Sequence, residues 1–127
     1  MMKIKKSTIL SLALSISSLF LTTPVAAHET VRTGLASYYS DKFHGRKTAS
    51  GEAFNMYKLT AASNRYKFGT KLRVTCTTTN KSVVVQVNDT GVFTRKYDRE
   101  IDLSYAAAKA IGMLDRGVTR VKIEELK

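Results

Sequence analysis

The chain has 127 residues, a single cysteine, 21 Lys and Arg against 10 Asp and Glu, and a formal charge of +11. That length holds one small domain with a modest core. One cysteine excludes an intrachain disulfide, and the positive balance points to a polyanionic partner without saying anything of the fold.

In chain order, the first stretch reads as a targeting segment. Lys3, Lys5 and Lys6 form a basic start. The apolar run "TILSLALSISSLFL" is short of the about 20 residues that a membrane span needs. "TPVAA" ends in small residues, with Val25 and Ala27 ahead of a cut before His28. Residues 1–27 are therefore expected to be a secretory signal peptide, and 28–127 a single domain. The residue after the cut is not cysteine, so no lipoprotein anchor and no stable membrane attachment is expected. Loss of three lysines takes the charge from +11 to +8. Outside the cytoplasm the polyanions are cell-wall polymers, lipid head groups and surface glycans, so nucleic acid is not expected as a partner. The plainer alternative is that a positive surface only keeps the protein soluble.

The domain reads as short strands. "GLASYYS" predicts a strand and "DKFHGRKTASGE" a loop. "AFNMYKLTAAS" mixes a turn with a short apolar segment. "KLRVTCTT" predicts a strand with Leu72, Val74 and Cys76 on one face, so Cys76 reads as buried rather than reactive. After a turn at Asn80, Val83, Val85 and Val87 alternate with Val84, Gln86 and Asn88, the period of a strand with one buried face. These two strands are expected to form a hairpin. "TGVFTRKYDRE" reads as a long loop. "IDLSYAAAKAIGM" predicts a strand end, a cap at Asp102 or Ser104, and a helix ended by Gly112. After a turn at Gly117, a last strand carries Val118, Val121 and Ile123. Many short strands with one helix predict a small closed β-barrel, because closure removes exposed edges.

Chemistry centres on carboxylates. Asp89 follows a strongly apolar strand in "NDTGVF"; it either turns the chain or is a carboxylate presented at a strand end. Asp102 and Glu52 are further candidates. Asp41, Asp98, Glu100 and Asp115 read as solvated or as turn residues. His28 and His44 show no metal-ligand spacing, so neither a metal nor a cofactor is expected. Carboxyl groups in a basic exported domain suggest acid/base chemistry on a polysaccharide, and inverting hydrolysis would need two of them. Tyr38, Tyr39, Phe43, Tyr57 and Phe93 either stack on sugars or fill the core. Arg46 either pairs with an anionic group or lies on the surface.

The segments "GLASYYSDKFHGRKTASGEAFNM", "LTAAS", "SVVVQVNDTGVF" and "IDLSYAAAKAIGM" closely resemble the rare lipoprotein A family, from about Gly34 to Leu126. The resemblance implies a six-stranded double-psi β-barrel with one or two short helices, related to expansins. It implies a monomer in the periplasm or outside the cell, associated with the wall and with division-site proteins. It further implies a lytic transglycosylase that cuts peptidoglycan glycan strands lacking stem peptides and leaves 1,6-anhydromuramic acid ends. The aspartate of the family's "VNDRGPF" falls on Asp89, the expected acid/base, and the glutamate of "ASGE" on Glu52. The aspartate of "IDLS" falls on Asp102. Asp102, Ser63, Asn88, Tyr39, His44, Arg46 and Phe93 are expected to line the groove. The chain departs from the family pattern at Ser63, where a histidine is common, at Asn55, often an aspartate, and at Thr90 and Val92. Serine cannot titrate near pH 7 as histidine does, which supports an alternative: a non-catalytic, expansin-like peptidoglycan-binding module.

Overall fold

A computed structural model describes residues 31–91 and 99–127. The expected signal peptide, Val92, Phe93 and Asp98 lie outside the described residues. Among the described residues there are six strands: β1 (Val31–Tyr38), β2 (Thr60–Ala62), β3 (Lys71–Cys76), β4 (Ser82–Asp89), β5 (Arg99–Leu103) and β6 (Thr119–Leu126). Among the described residues one α-helix, α1 (Tyr105–Ala110), stands between β5 and β6, and a short 3-10 turn spans Asp41–Phe43.

The strands close into a barrel in the order β1-β5-β2-β4-β3-β6. β3 and β4 form the expected antiparallel hairpin, with Val74 opposite Val83. Asn80 turns it at φ 62, a left-handed conformation that Asn tolerates better than most residues. Two pairs are parallel, β1 with β5 and β2 with β4. Parallel neighbours need crossover connections, so β2 lies between β4 and β5, both distant from it in sequence.

Alternation fills the interior. Leu72, Val74 and Cys76 of β3 and Val85 and Val87 of β4 are at most 1% exposed. Fully burying one such side chain stabilises the fold by about 1.5–3 kcal/mol. Val121 and Ile123 join this core, but Val118 precedes β6 and is exposed. Thr119, two residues before Val121, takes the inward position instead.

The helix packs against β1, β4 and β5. Ser104, not Asp102, is its cap: its Oγ accepts from Ala107 N. Ala107 and Ala108 are fully buried, and small side chains allow that close approach. Gly112 ends the helix with φ 76. Asp102, released from capping, is free for another task.

Candidate functional site

Two irregularities in the barrel decide which side chains leave the core. On β2 and β4, Ala61 pairs with Val87, but Ala62 pairs with Asp89. Asn88 is the extra residue of a β-bulge, a device that re-aims side chains. Without it, Asp89 would keep the phase of Val83, Val85 and Val87 and point into the apolar core. With it, Asp89 takes the phase of Ala62, opposite to the core residue Ala61. On the other edge of β2, Ala62 pairs with Asp102. Asp102 lies between the inward Ile101 and Leu103 and so also faces outward. One residue of β2 is thus flanked on both sides by a carboxylate, with strand axes spaced about 4.8 Å apart.

A folded arm places donors on Asp89. Residues 45–54 double back on themselves: Lys47 and Ala53 form a β-bridge. Gly45 N donates to Phe54 O at 2.8 Å, and Phe54 N to Arg46 O at 2.7 Å. Gly51, at φ 95, lets the tip turn. At that tip Ala49 N donates to Asp89 Oδ1 at 2.8 Å. Thr90 N donates to the same oxygen at 2.9 Å. Tyr39 Oη donates to the other oxygen, Oδ2, at 2.6 Å. The Tyr39 ring stacks on Phe54, centroids 4.3 Å apart, so the arm fixes both the amide and the phenol. Burial, then the hydrogen bond to Asp89, push the Tyr39 phenol far above its ordinary range. It therefore stays a proton donor at any physiological pH.

Each carboxylate oxygen has about two acceptor directions. Oδ1 has both taken by backbone amides, whereas Oδ2 has one taken by Tyr39. Oδ2 is the oxygen with a direction left for a ligand.

Asp102 is held differently. Ser37 Oγ donates to its Oδ1 at 2.5 Å, and Arg99 Nη1 donates to Ser37 Oγ at 3.1 Å. Burial raises the Asp102 carboxyl above its ordinary value, and the charge of Asp89 adds to this. The Ser37 hydrogen bond and Arg99 oppose them.

The other expected residues fall into three groups. Tyr39 joins Asp89. Ser63 and Asn88 are buried beside it: Ser63 N donates to Asp89 O at 2.9 Å, while Ser63 Oγ accepts from Arg65 N at 3.1 Å. Asn88 Oδ1 is buried with no hydrogen-bond partner among the described residues. Glu52, His44 and Arg46 lie on the exposed arm and its base. The Glu52 side chain stands 3.4 Å from Ser50 Oγ and has no described contact with Asp89. Asn55 Oδ1 accepts from Tyr57 N at 2.9 Å and serves a turn. Glu100, read as solvated, instead pairs with Arg65 at 3.3 Å. Tyr38 packs on the core and donates to Leu114 O. Ala49, Phe54, Ser37 and Arg99 were not foreseen. Ala49 acts through its backbone and leaves no side-chain signal. Among the described residues, no three of His, Cys, Asp and Glu are grouped to hold a metal.

Six strands closed in this order, with two parallel pairs and two carboxylates side by side across β4, β2 and β5, define a double-psi β-barrel. Solved structures agree on the fold. The Streptomyces papain inhibitor matches with a TM-score of 0.62 at 22% identity, over 77% of this chain and 96% of its own. An unliganded Clavibacter michiganensis expansin matches at 0.61 and 23% identity, over 77% of this chain and 51% of its own. A family model described as lytic transglycolase matches residues 31–123, and the chain belongs to that family, the rare lipoprotein A family of the sequence resemblance. The endolytic peptidoglycan transglycosylase RlpA of Haemophilus influenzae is 48% identical over 96 residues, 76% of this chain and 33% of that protein. The RlpA of Pseudomonas aeruginosa PAO1 is 48% identical over 91 residues, 72% of this chain and 26% of its own. A probable RlpA from Nostoc is 52% identical over 95 residues, 73% of this chain and 25% of its own. The chain spans between about a quarter and a third of the length of these three relatives.

Proposed function

We propose that the protein is an exported peptidoglycan lytic transglycosylase with Asp89 as its acid/base. The observation that carries this reading is the half-open Oδ2 of Asp89, a carboxylate oriented by three donors at the end of β4. The names of the relatives supply the substrate.

The chemistry needs one carboxyl group. Protonated at Oδ2, Asp89 gives its proton to the glycosidic oxygen as the bond from C1 of N-acetylmuramic acid breaks. The 6-hydroxyl oxygen of the same sugar bonds to C1, and its proton goes to Asp89. A 1,6-anhydro end forms, no water is consumed, and the catalyst is restored. Tyr39 holds Oδ2 in place through both proton transfers. Asp102 lines the groove across Ala62, and Glu52 supports substrate from the arm. Strands without stem peptides are the preferred substrate, as the family resemblance implies. Residues 1–27 direct export, and residues 28–127 act in the envelope beside the division machinery.

The test is digestion of purified sacculi and of amidase-treated glycan strands, read by mass spectrometry, with the Asp89→Asn protein alongside. Anhydro-ended products from the wild type alone are expected. Intact glycan from both would sink the proposal. The reading favoured by that outcome is a wall-binding module, and two observations support it: Ser63 and Asn55 bring no titratable group to the site, and both are engaged in turns.

A further inference from the structure

The wall of the barrel formed by β4, β3, β6 and β1 is antiparallel throughout, and its outward side chains take no part in the chemistry at Asp89. On β3, the exposed Lys71 and Arg73 alternate with the buried Leu72 and Val74. On β6, the exposed Arg120 and Lys122 alternate with the buried Thr119, Val121 and Ile123. Glu124 is the acid at an outward position of these two strands, and it pairs with Lys122 at 3.7 Å. Among the described residues Lys71, Arg73 and Arg120 are in no ion pair. The register sets Val84, Arg73, Glu124 and Val31 in one row across the four strands. Val84 is 40% exposed and Val31 50% exposed, so apolar side chains bracket the charged ones.

This wall lies across the barrel from the paired acids. Asp89 and Asp102 flank Ala62 of β2, and β2 is the third strand from β6 in either direction around the barrel. A partner laid on β3 and β6 therefore leaves Ala62 and its two acids uncovered.

We propose that Lys71, Arg73, Arg120 and Lys122, with Val31 and Val84, dock the protein reversibly on an anionic phospholipid surface, with Ala62 and both acids on the far side. The proposal is independent of the reaction assigned to Asp89. Each Lys or Arg near an anionic bilayer strengthens partitioning by about fivefold. Long basic side chains reach the phosphates while their stems lie along apolar surface. Val31 and Val84 add apolar area at the headgroup boundary. The wall of a closed barrel curves outward and offers a linear polymer no channel to lie in. A bilayer yields around such a wall and presents its phosphates to all four strands at once. Attachment of this kind needs no lipid anchor and is lost in salt.

The test is co-sedimentation with vesicles of phosphatidylcholine alone and of equimolar phosphatidylcholine and phosphatidylglycerol. It uses the chain from His28 onward, because the apolar run before it would itself enter lipid. All six strands and the core they enclose lie within residues 31–126, so this chain keeps the whole barrel. Binding is expected to the mixed vesicles only, and to fall about tenfold or more in roughly 0.5 M salt, where the screening length drops below about 5 Å. Arg73→Gln with Arg120→Gln is expected to lower partitioning by about 25-fold. Both side chains are exposed, and an unchanged melting temperature checks the fold. The chain has no tryptophan, so Val84→Trp supplies a single reporter on the wall and Tyr57→Trp one on the arm. The emission of the first is expected to shift to the blue on mixed vesicles and that of the second to stay in place. Equal binding to both kinds of vesicle, no binding to either, binding unchanged in the double variant, or an equal shift from the arm reporter would each overturn the proposal. Soluble polyphosphate bound as tightly, per phosphate, as the mixed vesicles would also overturn it, since the partner would then be a linear polyanion and not a surface.

Discussion

Asp89 and Asp102 flank the same residue, Ala62, yet the barrel treats the two carboxyls in opposite ways. Asp89 ends a strand and receives two backbone amides and a phenol, from the arm tip, its own turn and the end of β1. Asp102 sits mid-strand, held by Ser37 and, through it, by Arg99, and burial pushes its carboxyl up. A strand end can gather donors from loops, because loops are where backbone N–H groups are unspent. A mid-strand residue has neighbours whose amides are already committed to the ladder, so only side chains can serve it. The contrast makes Asp89 the oriented group and Asp102 the desolvated one.

The sharpest way to break that comparison is to neutralise each in turn. Asp89→Asn is expected to lower cleavage by about 10²–10⁴-fold, the range of a general acid/base, with the melting temperature nearly unchanged. Asparagine Oδ1 can still accept from Ala49 and Thr90. Asp102→Asn is expected to keep at least a tenth of the activity in the same assay. The reverse pattern would exchange the two roles.

Tyr39→Phe keeps the stack on Phe54 and removes only the hydroxyl. A hydrogen bond to a charged group contributes about 1.5–3 kcal/mol, so a loss of about tenfold or more in kcat is expected, with KM little changed. A change in KM alone would make Tyr39 a binding residue.

The second bulge offers a test of structure without touching either acid. On β1 and β5, Leu35 pairs with Arg99 and Ala36 with Ile101, which leaves Glu100 extra. A Cβ added to Gly34 would stand 2.3 Å from Glu100 Cγ. Gly34→Ala is expected to displace Glu100 from Arg65 and to destabilise by about 1–3 kcal/mol, as overpacking does. Urea unfolding measures it, and no change in midpoint would mean the glutamate moves aside freely.

The smallest effect is the pH dependence of Asp102. Its folded carboxyl is raised, so the folded state binds the proton more tightly than the unfolded chain does. That contribution is fully present below the ordinary aspartate value of about 3.9 and is lost as pH rises to the raised folded value. Asp102→Asn removes the loss, so its stability relative to wild type is expected to improve from pH 3 to pH 7. Parallel urea midpoints across that range would show that burial of Asp102 carries no such linkage.

Much of this protein was readable in one dimension. The valines of β4, the apolar face of β3, the hairpin at Asn80 and the alanine-rich helix follow from side-chain period and from local backbone preferences, which depend on near neighbours alone. The family motifs selected Asp89, Glu52 and Asp102, and Glu52 contacts Ser50 on the arm rather than Asp89. Sequence could not decide which carboxyl would be oriented or which would be desolvated. Period-two alternation carried one step past Val87 would put Asp89 on the core side, and only the bulge turns it outward; a bulge is a mismatch between two strands and exists only once they pair. The cap went to Ser104 rather than Asp102 for a related reason: Asp102 lies in a ladder position within β5. Ala49 contributes an amide that every residue type carries, and Ser37 and Arg99 reach Asp102 only because β1 and β5 lie parallel. The sequence by itself determined β1, β3, β4 and β6, most of the core and the acidic candidates, since those depend on each residue's own chemistry and spacing. The barrel's closure decided which acid meets which donors, since hydrogen-bond partners distant in the chain become neighbours only when the sheet's register is set.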